Sequence, residues 1–444
     1  MLAHELTFSP DRNDNFFTDI PAAPAVFLLR GDGEPYISKT ANLRRRLQRL
    51  LGKPAEQSKR LNLRDRVREI QFSPTGSDFE SQLLLYKLLR ENFPKTYAAR
   101  LRLRPAPLLK LHLENEYPRA SVTTLLAKTT WEQPPRALHS IEAQNSQDLK
   151  KESAPWLQDR RGRLSPHNQN IYYGPFPSRV AAEKFASDAL DFFNMRRCVD
   201  DLRPDPSFPG CVYSEMKMCL APCYKGCTDE DYDAEVSRVQ MFFDTRGESL
   251  IRELTEQRDQ ASSRLAFEEA ATIHGKIEKL KHLLSQLPEI VQAIGGLHAI
   301  IVQPSAQAGA VSLFCFSNGV LNGPALFEVN QSVVSTNAAE GGDARARPPA
   351  PALHKHVSME SRVQEIIQQI SGQRSASAAA STENVAILKR WYYRSHRVGE
   401  IFFADTKGNW PLRRIVRGIG RVHNGEKPQE SMTFSATQPL VPPS

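Results

Sequence analysis

An uninterrupted apolar run, Val26–Leu29, meets a Gly31-Asp32-Gly33 turn and resumes at Glu34–Ile37, the pattern of a strand hairpin. The period then opens to three and four. Leu43, Leu47, Leu50 and Leu51 share one helical face behind Asn42, whose side chain can accept backbone N–H groups at a helix start. Arg44, Arg45, Arg46 and Arg49 fall mainly on the other faces. Val67–Phe72 predicts a third strand. Ser77 or Asp78 then opens a second helix through Glu91, carrying Leu84, Leu85, Leu88 and Leu89. These elements predict a small α/β domain over residues 20–105, preceded by a flexible stretch, 1–19.

Strands at Leu109–Leu113 and Ala120–Leu126 extend that domain over 106–131. Residues 132–168 are polar and rich in Pro, Ser and Gln, and predict a flexible insertion. Order returns in 169–229 with Ile171–Pro177 and a helix over Arg179–Phe193. Across 230–287 the period is helical: Phe267, Ala270, Ile273, Ile277, Leu280 and Leu284 step by three or four. With a preceding helix over Glu235–Leu254 they predict an antiparallel hairpin. In 288–423, strands are expected at His298–Gln303, Val311–Phe316 and Glu400–Ala404, and helices at Val357–Ile370 and Val385–Arg394. Residues 335–356 and 371–384 are expected to be flexible, and 424–444 a disordered tail. The fold class is therefore α+β and multidomain, with a small α/β front, a cysteine-rich middle, a helical hairpin and a small irregular α/β end.

A chain of 444 residues is long enough for two to four domains. Its net charge of +8 comes from 58 Lys and Arg against 50 Asp and Glu. Much of the excess precedes residue 110, in Arg44-Arg45-Arg46 and in Arg100, Arg102 and Arg104, which favours an anionic partner, most simply nucleic acid. A polar N-terminus and the lack of a long apolar run argue against a leader peptide or membrane span, and predict a cytoplasmic protein. Five of the six cysteines fall between residues 198 and 227. Such clustering in a cytosolic chain favours metal over disulfides. Cys198, Cys211, Cys219 and Cys223 would satisfy zinc or an iron–sulfur cluster. Cys227 is an extra thiol, and Cys315 reads as a buried strand residue.

The order strand, Gly-rich turn, strand and arginine-loaded helix, with Tyr36-Ile37-Ser38-Lys39-Thr40-Ala41-Asn42-Leu43-Arg44-Arg45-Arg46-Leu47, resembles the start of a GIY-YIG nuclease domain, and in its wording the UvrC family of bacterial excision-repair proteins. Such a site hydrolyses phosphodiesters with one divalent metal held by a carboxylate. The resemblance places family functional residues at Tyr36, Lys39 and Arg46. It also exposes departures: the first motif tyrosine is Phe27, the glycine after the second is Ser38, a tyrosine on the helix is Leu50, and the metal-binding glutamate falls at Leu85. Glu80 is the nearby carboxylate on that helix, but five residues is about 500° of rotation, so it points roughly 140° away from residue 85. Lys39, Arg44, Arg45 and Arg46 remain candidates for phosphate contact.

Cys219-Leu220-Ala221-Pro222-Cys223 and Tyr173-Gly174-Pro175-Phe176 also resemble that family, which implies a [4Fe–4S] cluster on the four cysteines, zinc being the alternative from spacing alone. Leu265–Leu280 resembles a UVR motif, implying a partner surface on Phe267, Ala270, Ile273, Ile277 and Leu280 for the UvrB helicase subunit. His274 is expected to be exposed. The family's RNase H-like nuclease and helix-hairpin-helix modules are not matched; Asp405 reads as a turn acid and Trp391-Tyr392-Tyr393 as helix packing. Two functions follow. One is a DNA- and UvrB-binding repair component whose GIY-YIG site is impaired or inactive. The alternative is an active endonuclease using Mg2+ or Mn2+ there. A structural protein unrelated to DNA fits the basic front poorly.

Overall fold

The computed structural model describes residues 2–11, 14–53, 61–126, 169–199, 202–329, 358–371, 377–405 and 407–426. In the front domain, β1 (His4–Thr7), β2 (Ala25–Gly31), β3 (Tyr36–Thr40) and β4 (Val67–Pro74) form an antiparallel sheet in the order β1-β4-β2-β3. Helix α1 (Leu43–Leu51) is capped by the Asn42 side chain and buries Leu43, Leu47, Leu50 and Leu51 against Phe8, Phe17, Phe27 and Ile70. The N-terminal stretch expected to be flexible is thus part of the fold. His4–Thr7 pairs with Glu69–Phe72, and Phe8 and Phe17 enter the core. Burying those rings favours an ordered segment.

Helix α2 (Asp78–Asn92) is capped by Ser77, and the short α3 (Tyr97–Leu101) follows. A middle sheet, ordered β6-β5-β7-β8, is built from β5 (Leu108–Leu111), β6 (Ala120–Thr123), β7 (Ile171–Gly174) and β8 (Gln292–Ala293). The predicted insertion at 132–168 lies outside the described residues. Helix α4 (Arg179–Leu190) precedes the cysteine region, which contains the short α5 (Val212–Glu215).

The helix expected over Glu235–Leu254 is two helices, α6 (Asp229–Asp244) and α7 (Glu248–Ser263). Between them Arg246 and Gly247 take φ of 51° and 88°, and the Gly247 N–H returns to the Phe242 carbonyl at 2.7 Å. A glycine in the left-handed region just past a helix ends it. The hairpin is therefore α7 with α8 (Phe267–Ser285).

At the far end, β9 (Ala299–Pro304), β10 (Ala310–Ser317), β11 (Val320–Glu328) and β12 (Glu400–Phe403) make a third antiparallel sheet in the order β11-β10-β9-β12. Helices α9 (Met359–Ser371) and α11 (Leu412–His423) cover one face. The other face joins the main core, where α10 (Ala378–Tyr392) meets α2. Part of the stretch expected to be flexible, 371–384, is helical: α10 starts at Ala378, seven residues before the expected Val385, with Ser377 as its cap. Residues 335–356 and the tail from 427 onward lie outside the described residues. Cys315 is fully buried in β10, as expected.

Candidate functional site

The β2–β3 hairpin sets Phe27 opposite Ser38 and Val26 opposite Lys39. Phe27 is fully buried, 6.1 Å between ring centroids from Tyr36. The Tyr36 hydroxyl accepts from Arg46 Nη2 at 2.7 Å. The third residue of the set, Lys39, points to another element: its Nζ donates to Asp78 at 2.6 Å, at the first turn of α2. Asp78 is also held at 2.6 Å by Arg394, just past α10. Burial pushes the Asp78 carboxyl up, but the hydrogen bonds and charges of Lys39 and Arg394 outweigh it, and the net shift is below the usual range. Tyr36 and Arg46 therefore form one pair, and Lys39 joins a separate cation–acid–cation bridge.

Leu85 is half-buried and packs against the main core. Glu80, the nearby carboxylate on the same helix, is turned to the backbone before it. Its carboxylate accepts from the Gly76 N–H at 2.9 Å, in the turn before α2, and burial raises its pKa. Asp78 lies seven residues before Leu85, two turns away on the same helical face, a relation that spacing along the chain makes visible. Arg394 carries no such local signal, being 316 residues from Asp78.

The predicted phosphate-contacting arginines are divided. Arg44 donates to the Ile20 carbonyl at 2.7 Å and Arg46 to Tyr36. Arg45 is exposed. Two of the three consecutive arginines thus fasten the helix to its neighbours.

In the cysteine region the neighbours of Cys219 include Cys198, Cys223 and Cys211. The buried Arg196 donates to Cys198 Sγ at 3.4 Å and the Ala221 N–H to Cys219 Sγ at 3.3 Å. Burial pushes the Cys219 thiol up to about 11. Cys227 is also pushed up to about 11, first by burial and then by Asp231 and Asp229. Hydrogen bonds to the Cys198 and Cys219 sulfurs suit thiolate at these two positions. Among the described residues, however, no group of three or more His, Cys, Asp or Glu is placed to hold a metal ion, so the ligand set is not closed.

The expected partner face of the hairpin is largely interior. Ile273, Ile277 and Leu280 are 9 %, 1 % and 0 % exposed and pack in the main core with Leu250, Leu254 and Ala261 of α7. Ala270 is half-buried. Phe267 is 64 % exposed and Leu265 72 %, so the outward apolar surface sits at the hairpin tip. His274 is exposed. Asp405 accepts from the Lys407 and Asn409 backbone as a turn acid, and Trp391 donates to the Val398 carbonyl at 3.0 Å from a buried position. Among the described residues no helix is long and apolar enough to cross a membrane.

Comparison with known proteins matches the middle of the chain and the helical hairpin. A family described as the UvrC/Cho excinuclease middle domain matches residues 148–242, and the UvrB/uvrC motif matches residues 248–283, the span of α7 and α8. Proteins named UvrABC system protein C are similar. The one from Cronobacter sakazakii is 27 % identical over 240 residues, 51 % of this chain and 38 % of that protein. The one from Methylococcus capsulatus is 26 % identical over 314 residues, 67 % and 45 % of the two chains. The one from Legionella pneumophila strain Lens is 25 % identical over 315 residues, 70 % and 44 %. The matched stretches span less than half the length of these relatives. No solved structure matches.

Proposed function

The chain belongs to the UvrC family, and from that premise we propose that it serves bacterial nucleotide excision repair by binding DNA and the UvrB helicase subunit, with a GIY-YIG-derived front that no longer cuts. The observation that carries this reading is the state of the nuclease-like face. The glutamate position is Leu85, packed against the core, and Lys39 is bridged through Asp78 to Arg394. Hydrolysis needs a carboxylate to hold the metal and a cation placed toward the phosphate. Leucine supplies no ligand, and the Lys39 charge is opposed by Asp78. The exposed Phe267 and Leu265 at the hairpin tip suit docking on an apolar partner edge.

On the same reading Cys198, Cys211, Cys219 and Cys223 hold a [4Fe–4S] cluster. A single zinc would draw four sulfurs to about 3.8 Å from one another, the tetrahedron edge set by Zn–S bonds of about 2.3 Å. A four-iron cluster binds one thiolate on each iron, and the likeness of Cys219–Cys223 to the family favours it over zinc. When bound, the cluster supplies a crosslink between the segments carrying these cysteines. Arg196 and the Ala221 N–H stabilise thiolate at Cys198 and Cys219. Cys227, whose neighbours include Asp229 and Asp231, is left outside the set as an extra thiol.

The test is nicking of a lesion-containing duplex with Mg2+ or Mn2+ and UvrB, comparing the wild type with Lys39→Ala. The expected result is no nick from either protein, with the UvrB–DNA complex still bound. A nick by the wild type that vanishes in Lys39→Ala would establish a working nuclease and overturn the reading. Iron and sulfide analysis of anaerobically prepared protein tests the cluster separately.

A further inference from the structure

The front helix uses much of its charge internally, whereas helix α11 (Leu412–His423) keeps most of its cations outward. Its Ile415, Ile419 and Val422 are buried in one core cluster with Ile300, Val302 and Phe402 of the third sheet. Gly418 allows this fit, since a Cβ there would stand 2.3 Å from the Phe402 ring. Arg421 is locked in place by two hydrogen bonds of 2.7 Å to the buried Glu400.

At 100° per residue, Arg413, Arg417 and Gly420 fall within about 60° of one another on the opposite side, and Arg414 flanks them. All three arginines are exposed, Arg413 by 86 % of its side chain. Among the described residues no carboxylate is within ion-pair distance of Arg414 or Arg417. The nearest to Arg413 is Glu360, at 3.8 Å. Glu426, beyond the helix end, accepts from Asn424. Gly420 weakens the helix relative to alanine, yet a Cβ there would meet no atom within 4 Å. No internal packing therefore requires glycine at this point. What it leaves is a low place on the helix surface beside Arg417, where another backbone can come close.

We propose that the Arg413–Arg414–Arg417 face of α11, with the notch at Gly420, is a contact surface for the phosphate backbone of nucleic acid. Successive turns place the Arg413 and Arg417 Cα atoms about 6 Å apart along the axis. Guanidinium groups pair with phosphate oxygens through two parallel N–H bonds. The contact reads charge and not sequence. This inference rests on the DNA-binding part of the functional reading and adds a second site to it, at the opposite end of the chain from Lys39.

The experiment measures binding of the full-length chain to a short fluorescent duplex across a salt series, for wild type and for R413Q/R414Q/R417Q. Melting temperature establishes that the variant is folded, and R413K/R414K/R417K is the charge-retaining control. The expected result is a uniform loss of affinity, on the order of tenfold or more, whatever the sequence. The slope of log K against log salt flattens by about 2.7, roughly 0.9 for each phosphate no longer neutralised. The lysine variant keeps a slope near that of the wild type. Unchanged affinity and slope in the glutamine variant would overturn the proposal and leave the functional reading standing. If the wild type itself fails to bind DNA, the functional reading falls and takes this surface with it. Loss of polyglutamate binding with DNA binding intact would assign the face to an acidic protein and overturn the proposal as well.

Discussion

Helices α1 and α11 each carry four arginines, each bury one leucine- or isoleucine-lined face, and lie near opposite ends of the chain. In α1, the segment before β2 and the strand β3 flank the helix. Arg44 reaches the Ile20 carbonyl and Arg46 the Tyr36 hydroxyl, so two of the charges are fasteners. In α11 the buried fastener is Arg421 on Glu400, Arg413 adds a solvent-exposed contact to Glu360 at 3.8 Å, and Ile415, Ile419 and Val422 already seat the helix on the sheet. Arg413, Arg414 and Arg417 are left outward. Composition alone therefore overstates the charge that a basic helix can offer a partner. What counts is how many neighbours with acceptor groups stand beside it.

The comparison breaks most readily at the apolar side. Ile415→Ala should lower stability by about 2–5 kcal/mol, as for other fully buried isoleucines, measured by denaturant unfolding; Leu47→Ala in α1 should cost a similar amount. A loss below about 1 kcal/mol at Ile415 would mean that α11 is not seated on the sheet, and its arginines would have no fixed face. The fasteners give the next effect. Arg421→Gln should cost about 2–3 kcal/mol, since Glu400 is left buried without its charged partner. Arg417→Gln should stay within about 0.5 kcal/mol. Equal losses at the two positions would erase the distinction between anchoring and outward arginines.

Asp78→Asn sharpens the front side of the comparison. It releases Lys39 and Arg394, and because both pairs are partly exposed the stability change should be only about 0–1 kcal/mol. DNA affinity at low salt should rise by a few-fold, roughly the effect of one added phosphate contact. No gain would show that Lys39 does not face the nucleic acid. The smallest effect is in the acid range. The folded-state pKa of Asp78 lies below its ordinary 3.8, so its contribution is fully present above that value and lost as pH falls through the folded pKa. Melting curves from neutral pH down to about 3 should lose slightly less stability in Asp78→Asn than in the wild type.

Local signals carried much of the architecture. Asn42 and Ser77 cap the helices that their positions promised, and the leucine face of α1 is buried as its period required. Quieter signals lie in the same sequence. Asn318-Gly319, both at positive φ, turn β10 into β11, and an Asn-Gly pair between apolar runs is a strong hairpin mark. Gly247 marks the break between α6 and α7, where the periodicity alone suggested one continuous helix. Leu412, Ile415, Ile419 and Val422 repeat at helical spacing. Ile273, Ile277 and Leu280 do share one face, but periodicity does not say whether that face meets a partner or the chain itself. In the structure, α7 and the rest of the main core cover it.

By itself the sequence determined the periods, caps and turns and the cysteine spacing, because each depends on residues close along the chain. Tertiary structure decided which charges are available. Whether Lys39 faces solvent or Asp78, whether Asp78 is bridged on to Arg394, and whether an arginine fastens or projects all depend on groups brought together from distant segments. Coulombic pairing and hydrogen bonding act over a few ångströms in space, and that distance is set only when the sheets and helices pack.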